Sequence, residues 1–96
     1  MLAIHKQNKA EKDLIAIWIY SFEQWGVPQA DKYLDHINVA LESIALNPES
    51  GVKIDNIKTG YYKYQVKKHI IFYKIVEPRL LVVRVLKSDM DYQSHL

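Results

Sequence analysis

Three β-rich runs crowd the last third of the chain: YYKYQV at 61–66, HIIFYKIV at 69–76 and LLVVRVLK at 80–87. Only Lys67-Lys68 separates the first two, and Glu77-Pro78-Arg79 the last two, so both breaks read as turns. Side chains alternate between the faces of a strand. Tyr62, Tyr64 and Val66 therefore share one face, and Tyr61, Lys63 and Gln65 the other. In the last run Leu81, Val83 and Val85 oppose Leu80, Val82, Arg84 and Leu86. The middle run is apolar on both faces, with Ile71, Tyr73 and Ile75 against Ile70, Phe72 and Lys74. A sheet with one solvated face alternates more cleanly, so the middle run predicts a cover on each side.

Two amphipathic stretches precede these strands. Leu14, Ile17, Trp18, Ser21, Phe22 and Trp25 recur at helical spacing and predict a helix over roughly residues 9–25. Asn8 is placed to cap it, with Glu11 three residues on as in a capping box. Gly26 ends it in a left-handed conformation. Pro28 suits the first turn of a second helix over roughly residues 28–46, whose stripe is Ala30, Tyr33, Leu34, Ile37, Leu41, Ile44 and Ala45. NPESG, Asn47 to Gly51, stops it. LAIHKQ alternates weakly as a short first strand, and VKIDNIKT reads as a loop. The order is β-α-α-β-β-β in a single domain over residues 1–96. It predicts an α+β fold with a helical hairpin packed on one face of an antiparallel sheet. Leu14, Trp18, Leu34, Ile37, Leu41 and Ile44 are the expected core. The hairpin covers one face only, so the tail, a second copy or another protein is expected on the other.

Composition limits the function more than it names one. The absence of cysteine removes disulfides and thiolate metal ligands and fits a cytoplasmic protein. The N-terminal residues lack the apolar core of a signal peptide. The longest apolar run, LIAIWIY at 14–20, is far short of a membrane span. The net charge of +2 divides unevenly: residues 1–57 carry 5 Lys/Arg and 8 Asp/Glu, residues 58–96 carry 8 Lys/Arg and 3 Asp/Glu. A basic second half is either a solvated face or a surface that steers an acidic partner.

Most catalytic chemistry is excluded. There is no Gly-rich phosphate loop, the four histidines show no metal-ligand spacing, and no nucleophile motif surrounds a serine. No cofactor and no metal are expected. Metal-free RNA cleavage needs a base, an acid and cations for a phosphorane; Lys67, Lys68, His69, Lys87 and Tyr92 are of suitable types. A free lysine stays protonated at neutral pH, however, and consecutive strand residues face apart. The Lys67-Lys68-His69 cluster therefore reads as a polar turn whose charges are available to a partner. No catalytic residue is assigned.

The element order, NPESG after the second helix, IKTGYYKYQVKKHIIFYKI and VVRVLKSDMD together resemble the RelE/ParE toxin superfamily, most closely its ParE type. Gly60-Tyr61, Ile71-Phe72-Tyr73 and Arg84-Val85-Leu86 carry the likeness over nearly the whole chain. The resemblance implies a bacterial toxin neutralised by a ParD-like antitoxin and acting by poisoning DNA gyrase, which itself cuts the DNA. The alternatives are a RelE-type ribosome-dependent mRNA endonuclease and a non-toxic antitoxin-binding module. Ile70 stands where RelE-type members carry arginine, and Ser88-Asp89-Met90-Asp91 is acidic where they are basic; no ribonuclease activity is therefore expected. Lys58, Lys63 and Lys87 replace arginines and a histidine common in the ParE type, and lysine lacks arginine's planar fork. The resemblance places the antitoxin, as an acidic amphipathic peptide, beside sheet and hairpin at Trp25, Tyr61, Lys63 and Arg84, and the target at Lys58, Lys63, Arg84 and Lys87. Direct nucleic-acid binding is not expected; a homodimer or a hetero-oligomer with antitoxin is.

Overall fold

The structure is a computed structural model that describes residues 1–96. Strand β1 (Ala3–Lys6) leads into helices α1 (Asn8–Trp25) and α2 (Val27–Leu46). A single 3-10 turn, Pro48–Ser50, precedes the two-residue strand β2 (Val52–Lys53), and β3 (Tyr61–Val66), β4 (His69–Val76) and β5 (Arg79–Lys87) follow. The sheet order is β1-β5-β4-β3-β2. Lys67 and Lys68 form the expected two-residue turn between the paired residues Val66 and His69.

The helix ends differ in detail from expectation. Asn8 is not the cap: Gln7 holds that position with extended backbone and no side-chain bond. The strand runs straight into the helix, because the Gln7 N–H still donates to the Val82 carbonyl while its own carbonyl accepts from Glu11. Gly26 has the positive φ a side chain resists, +88°, but its ψ of 177° is extended rather than left-handed helical. It donates to the Phe22 carbonyl and launches α2 at once.

The sheet is mixed, not antiparallel throughout. β1 runs parallel to β5, from Ala3 opposite Arg79 to Lys6 opposite Val82. The hairpin between them supplies the crossover that a parallel pair requires. β2 adds a strand inside the segment expected to be a loop. A bulge also interrupts the β4–β5 ladder: Phe72 pairs with Arg84 and Tyr73 with Val82, leaving Val83 unopposed. The simple alternation of β5 therefore fails. Leu80 and Val82 face the hairpin, but beyond the bulge it is Val85 that does so, while Val83 and Leu86 join the opposite face.

Two apolar clusters sandwich the sheet. Leu14, Ile17, Ile37, Leu41 and Ile44 pack on Tyr62, Val66, Ile71 and Tyr73 from the helical side. On the far side Tyr61, Ile70, Phe72 and Leu86 are covered by Ile54, Ile57, Met90, Tyr92 and Leu96. The second cover is thus this chain's own β2–β3 loop and tail, which is why both Phe72 and Tyr73 are fully buried. Trp18 and Leu34 are only half-buried; the Trp18 indole donates to Asp31 on α2 at 2.9 Å and its ring stacks on Phe22.

The NPESG segment is pinned from beneath. The Tyr73 hydroxyl donates to the Pro48 carbonyl at 2.8 Å and accepts from the Gly51 N–H at 3.0 Å. A Cβ on Gly51 would collide with that hydroxyl and lie 2.8 Å from the Lys63 carbonyl oxygen. Gly51→Ala should therefore destabilise the fold by about 1–3 kcal/mol, as overpacking does, measured by urea unfolding.

Candidate functional site

β1 ends at Lys6, so β5 beyond Val82 has no strand beside it on that edge. α1 crosses the gap and sends Asp13 to it. One carboxylate oxygen accepts from Arg84 Nε at 2.8 Å and from the Val85 N–H at 3.0 Å; the other accepts from Arg84 Nη2 at 2.9 Å. Arg84 Nη1 donates to the His95 carbonyl at 3.2 Å, tying the tail to the same point. A bulge re-aims side chains, and this one puts Arg84 within reach of both α1 and the tail. The Asp13 hydrogen bond pushes the Arg84 pKa up, against a smaller effect of burial.

Beside this clamp a groove of about 910 Å³ runs between α1, the first half of α2, the β3–β4 turn and the end of β5. Ile17, Val85, Leu86 and Met90 give it an apolar floor, and Tyr20, Trp25 and Tyr33 give it aromatic walls. Lys32, Lys67, Lys68, Arg84 and Lys87 are its cations; Asp13, the sole carboxylate, is consumed by Arg84. Trp25 is 65% exposed and meets the edge of Tyr20, over whose ring the Lys87 ammonium lies at 5.8 Å.

His69 lies on the groove wall, with its Nδ1 bonded to the Tyr33 hydroxyl. Burial holds its imidazole below the ordinary value; Lys87 pushes the same way, while Asp13 and Asp89 oppose. Burial also raises the Tyr33 hydroxyl, against a backbone hydrogen bond from Lys68. A histidine held low stabilises the fold fully above its unfolded value, about pH 6.5, and loses that contribution as pH falls through the lower folded value. Urea unfolding below that pH should therefore show a loss of stability that His69→Gln removes.

The candidate residues fall into two groups. Trp25, Arg84 and Lys87 meet in the groove. Lys58, Tyr61 and Lys63 lie at the far cluster instead. Tyr61 is buried there under the ammonium groups of Lys58 and Lys74, so truncating it would open a cavity. Lys63 lies over the Tyr92 ring, and Lys58 donates to the Leu96 carbonyl. Of the residue types weighed for RNA cleavage, Lys67, Lys68, His69 and Lys87 share the groove, while Tyr92 packs on Phe72 across the sheet.

Sequence reasoning missed Asp13, Lys32 and Tyr33. For Asp13 a signal existed. An arginine inside an apolar strand needs an acid when buried, and Asp13 adjoins the buried α1 stripe of Ala10, Leu14 and Ile17.

Residues 4–92 match the family described as "ParE toxin of type II toxin-antitoxin system, parDE". Toxin ParE1 of Caulobacter vibrioides is 36% identical over 89 residues, 93% of this chain and 92% of that protein. Toxin ParE1 of Mycobacterium tuberculosis (strain CDC 1551 / Oshkosh) is 38% identical over 88 residues, 91% of this chain and 90% of that protein. Among solved structures, a chain of the chromosomal ParDE TA system from P. aeruginosa superposes with a TM-score of 0.78 at 16% identity, covering 91% of this chain and 96% of that one. A chain of the YoeB-YefM complex from Staphylococcus aureus gives 0.59 at 22% identity, covering 90% and 95%. At those identities the structures speak for the fold alone.

Proposed function

Because this chain belongs to the ParE toxin family of type II toxin–antitoxin systems, we propose that its groove seats a ParD-like antitoxin and that the free protein poisons DNA gyrase. The observation that carries the first part is an apolar floor ringed by lysines that have no ion-pair partner. An acidic, amphipathic segment suits it: apolar residues on Ile17, Val85 and Leu86, carboxylates among Lys32, Lys67, Lys68 and Lys87. Such a segment, flexible when free, would fold as it binds. The match of residues 4–92 to the ParE toxin family supports an antitoxin as the partner.

Reversing Lys67, Lys68 and Lys87 to glutamate should weaken antitoxin binding at least tenfold, about 1.4 kcal/mol, and flatten its salt dependence, since rim charges act mainly on encounter. Calorimetric titration reads this directly; unchanged affinity would place the antitoxin elsewhere. In this proposal Trp25 and Arg84 belong to the antitoxin contact, while Lys58 and Lys63 remain on the far face for the target.

Gyrase poisoning is a binding activity, and no residue of this chain performs chemistry in it. Its target places the protein in the cytoplasm, and no helix is long and apolar enough to cross a membrane. Purified protein should inhibit supercoiling and trap cleaved DNA, both weakened by Lys58→Ala with Lys63→Ala. Lys67, Lys68, His69 and Lys87 around one groove favour a second reading, a ribosome-dependent endonuclease. Codon-specific cuts in a translation extract that vanish on changing Lys67 or Lys87 would establish that alternative, and normal growth on induction without antitoxin would mark a non-toxic module.

A further inference from the structure

α1 carries a face that neither α2, the sheet nor the groove floor uses. Ile15, Ile19 and Phe22 are 60%, 47% and 45% exposed and recur at the i, i+4, i+7 spacing of one helical stripe. With Ile19 taken as zero, a turn of about 100° per residue puts Ile15 and Phe22 on one side of the stripe and Lys12 and Glu23 on the other. Lys12 and Glu23 are exposed and make no ion pair within the chain.

We propose that this face is a homodimer seam, in which α1 of one copy packs antiparallel on α1 of a second copy about a two-fold axis. A two-fold contact must be self-complementary, and this stripe is. An axis at the level of Trp18 brings Ile15 to within one residue, about 1.5 Å along the helix, of direct opposition to Phe22 of the second copy, and Lys12 equally close to its Glu23, an offset that long side chains span. That axis keeps each side of the stripe on its own side of the seam, so apolar meets apolar and opposite charges meet. A parallel arrangement would set Lys12 against Lys12, which fixes the antiparallel choice. The groove opens on a different side of α1, through Asp13, Ile17 and Tyr20, so a dimer leaves the antitoxin seat accessible.

The seam from residue 12 to residue 23 is about 16 Å long. A single-helix contact of that length buries less than the roughly 800 Å² per partner of a standard interface, so association belongs in the micromolar to millimolar range. Sedimentation equilibrium of the full chain across that range at low salt should show a concentration-dependent dimer. Ile19→Glu should abolish it. Lys12→Glu and Glu23→Lys should each weaken it about tenfold, and the two together should restore it. All are exposed positions, and circular dichroism melting confirms that each variant folds. A wild-type chain that stays monomeric throughout, or a double variant as weak as the singles, overturns the proposal. So does loss of antitoxin affinity in Ile19→Glu from a monomeric wild type, because the face would then belong to the antitoxin.

Discussion

Asp13→Ala should cost about 2–4 kcal/mol of stability, toward the lower part of the range for breaking a buried ion pair. The two side chains retain 17% and 15% of their exposure, which lets water relieve some of the loss. Three donors lose their acceptor together: Arg84 Nε, Arg84 Nη2 and the Val85 N–H. An unmet buried donor costs more than the bond that served it. Asp13→Asn keeps the size and one acceptor oxygen but not the charge, and should fall between. Urea unfolding measures both; a change below about half a kilocalorie, the ordinary surface range, would show that the clamp is not structural. Arg84→Ala should also destabilise, so its effect on antitoxin binding must be read against its own melting curve.

Leu41→Ala should cost about 2–5 kcal/mol. Leu41 is 1% exposed on α2, in the cluster that joins both helices to the sheet. Its removal leaves a cavity rather than a surface dent. Leu34→Ala, half-buried on the same helix, should cost less. Equal losses at the two positions would mean that α2 does not sit as described.

These two sites also show what sequence alone makes readable. The period that placed Leu41 on the buried stripe is a property of one helix, visible without its neighbours. The same holds for the β3–β4 turn and for the two apolar faces of β4. The Asp13–Arg84 clamp depends on which strand edge α1 crosses, and no local pattern carries that. β1 looked like any short strand, and its parallel pairing is decided by the crossover length. The bulge at Val83 reverses which β5 side chains face the hairpin, an error that counting by twos cannot detect. Trp25, Arg84 and Lys87 line the groove, whereas Lys58, Tyr61 and Lys63 lie on the far face, from which Arg84, paired with Phe72, reaches round the β5 edge to Asp13.

The pairing of β1 with β5 has a consequence in time. Residues 3–6 find their partners at 79–82, among the most distant pairings the chain contains. Contacts so far apart in sequence are slow to close. On the ribosome, where synthesis proceeds at about 5–20 residues per second, α1 and α2 emerge long before β5 exists. The β3–β4–β5 meander then zips through neighbours, and only afterwards can β1 dock and Asp13 reach Arg84. The groove draws on residues from 13 to 95, so it is complete only once residue 95 has emerged. A nascent chain thus offers a partner no complete groove until β5 and the residues after it have emerged and folded back on α1.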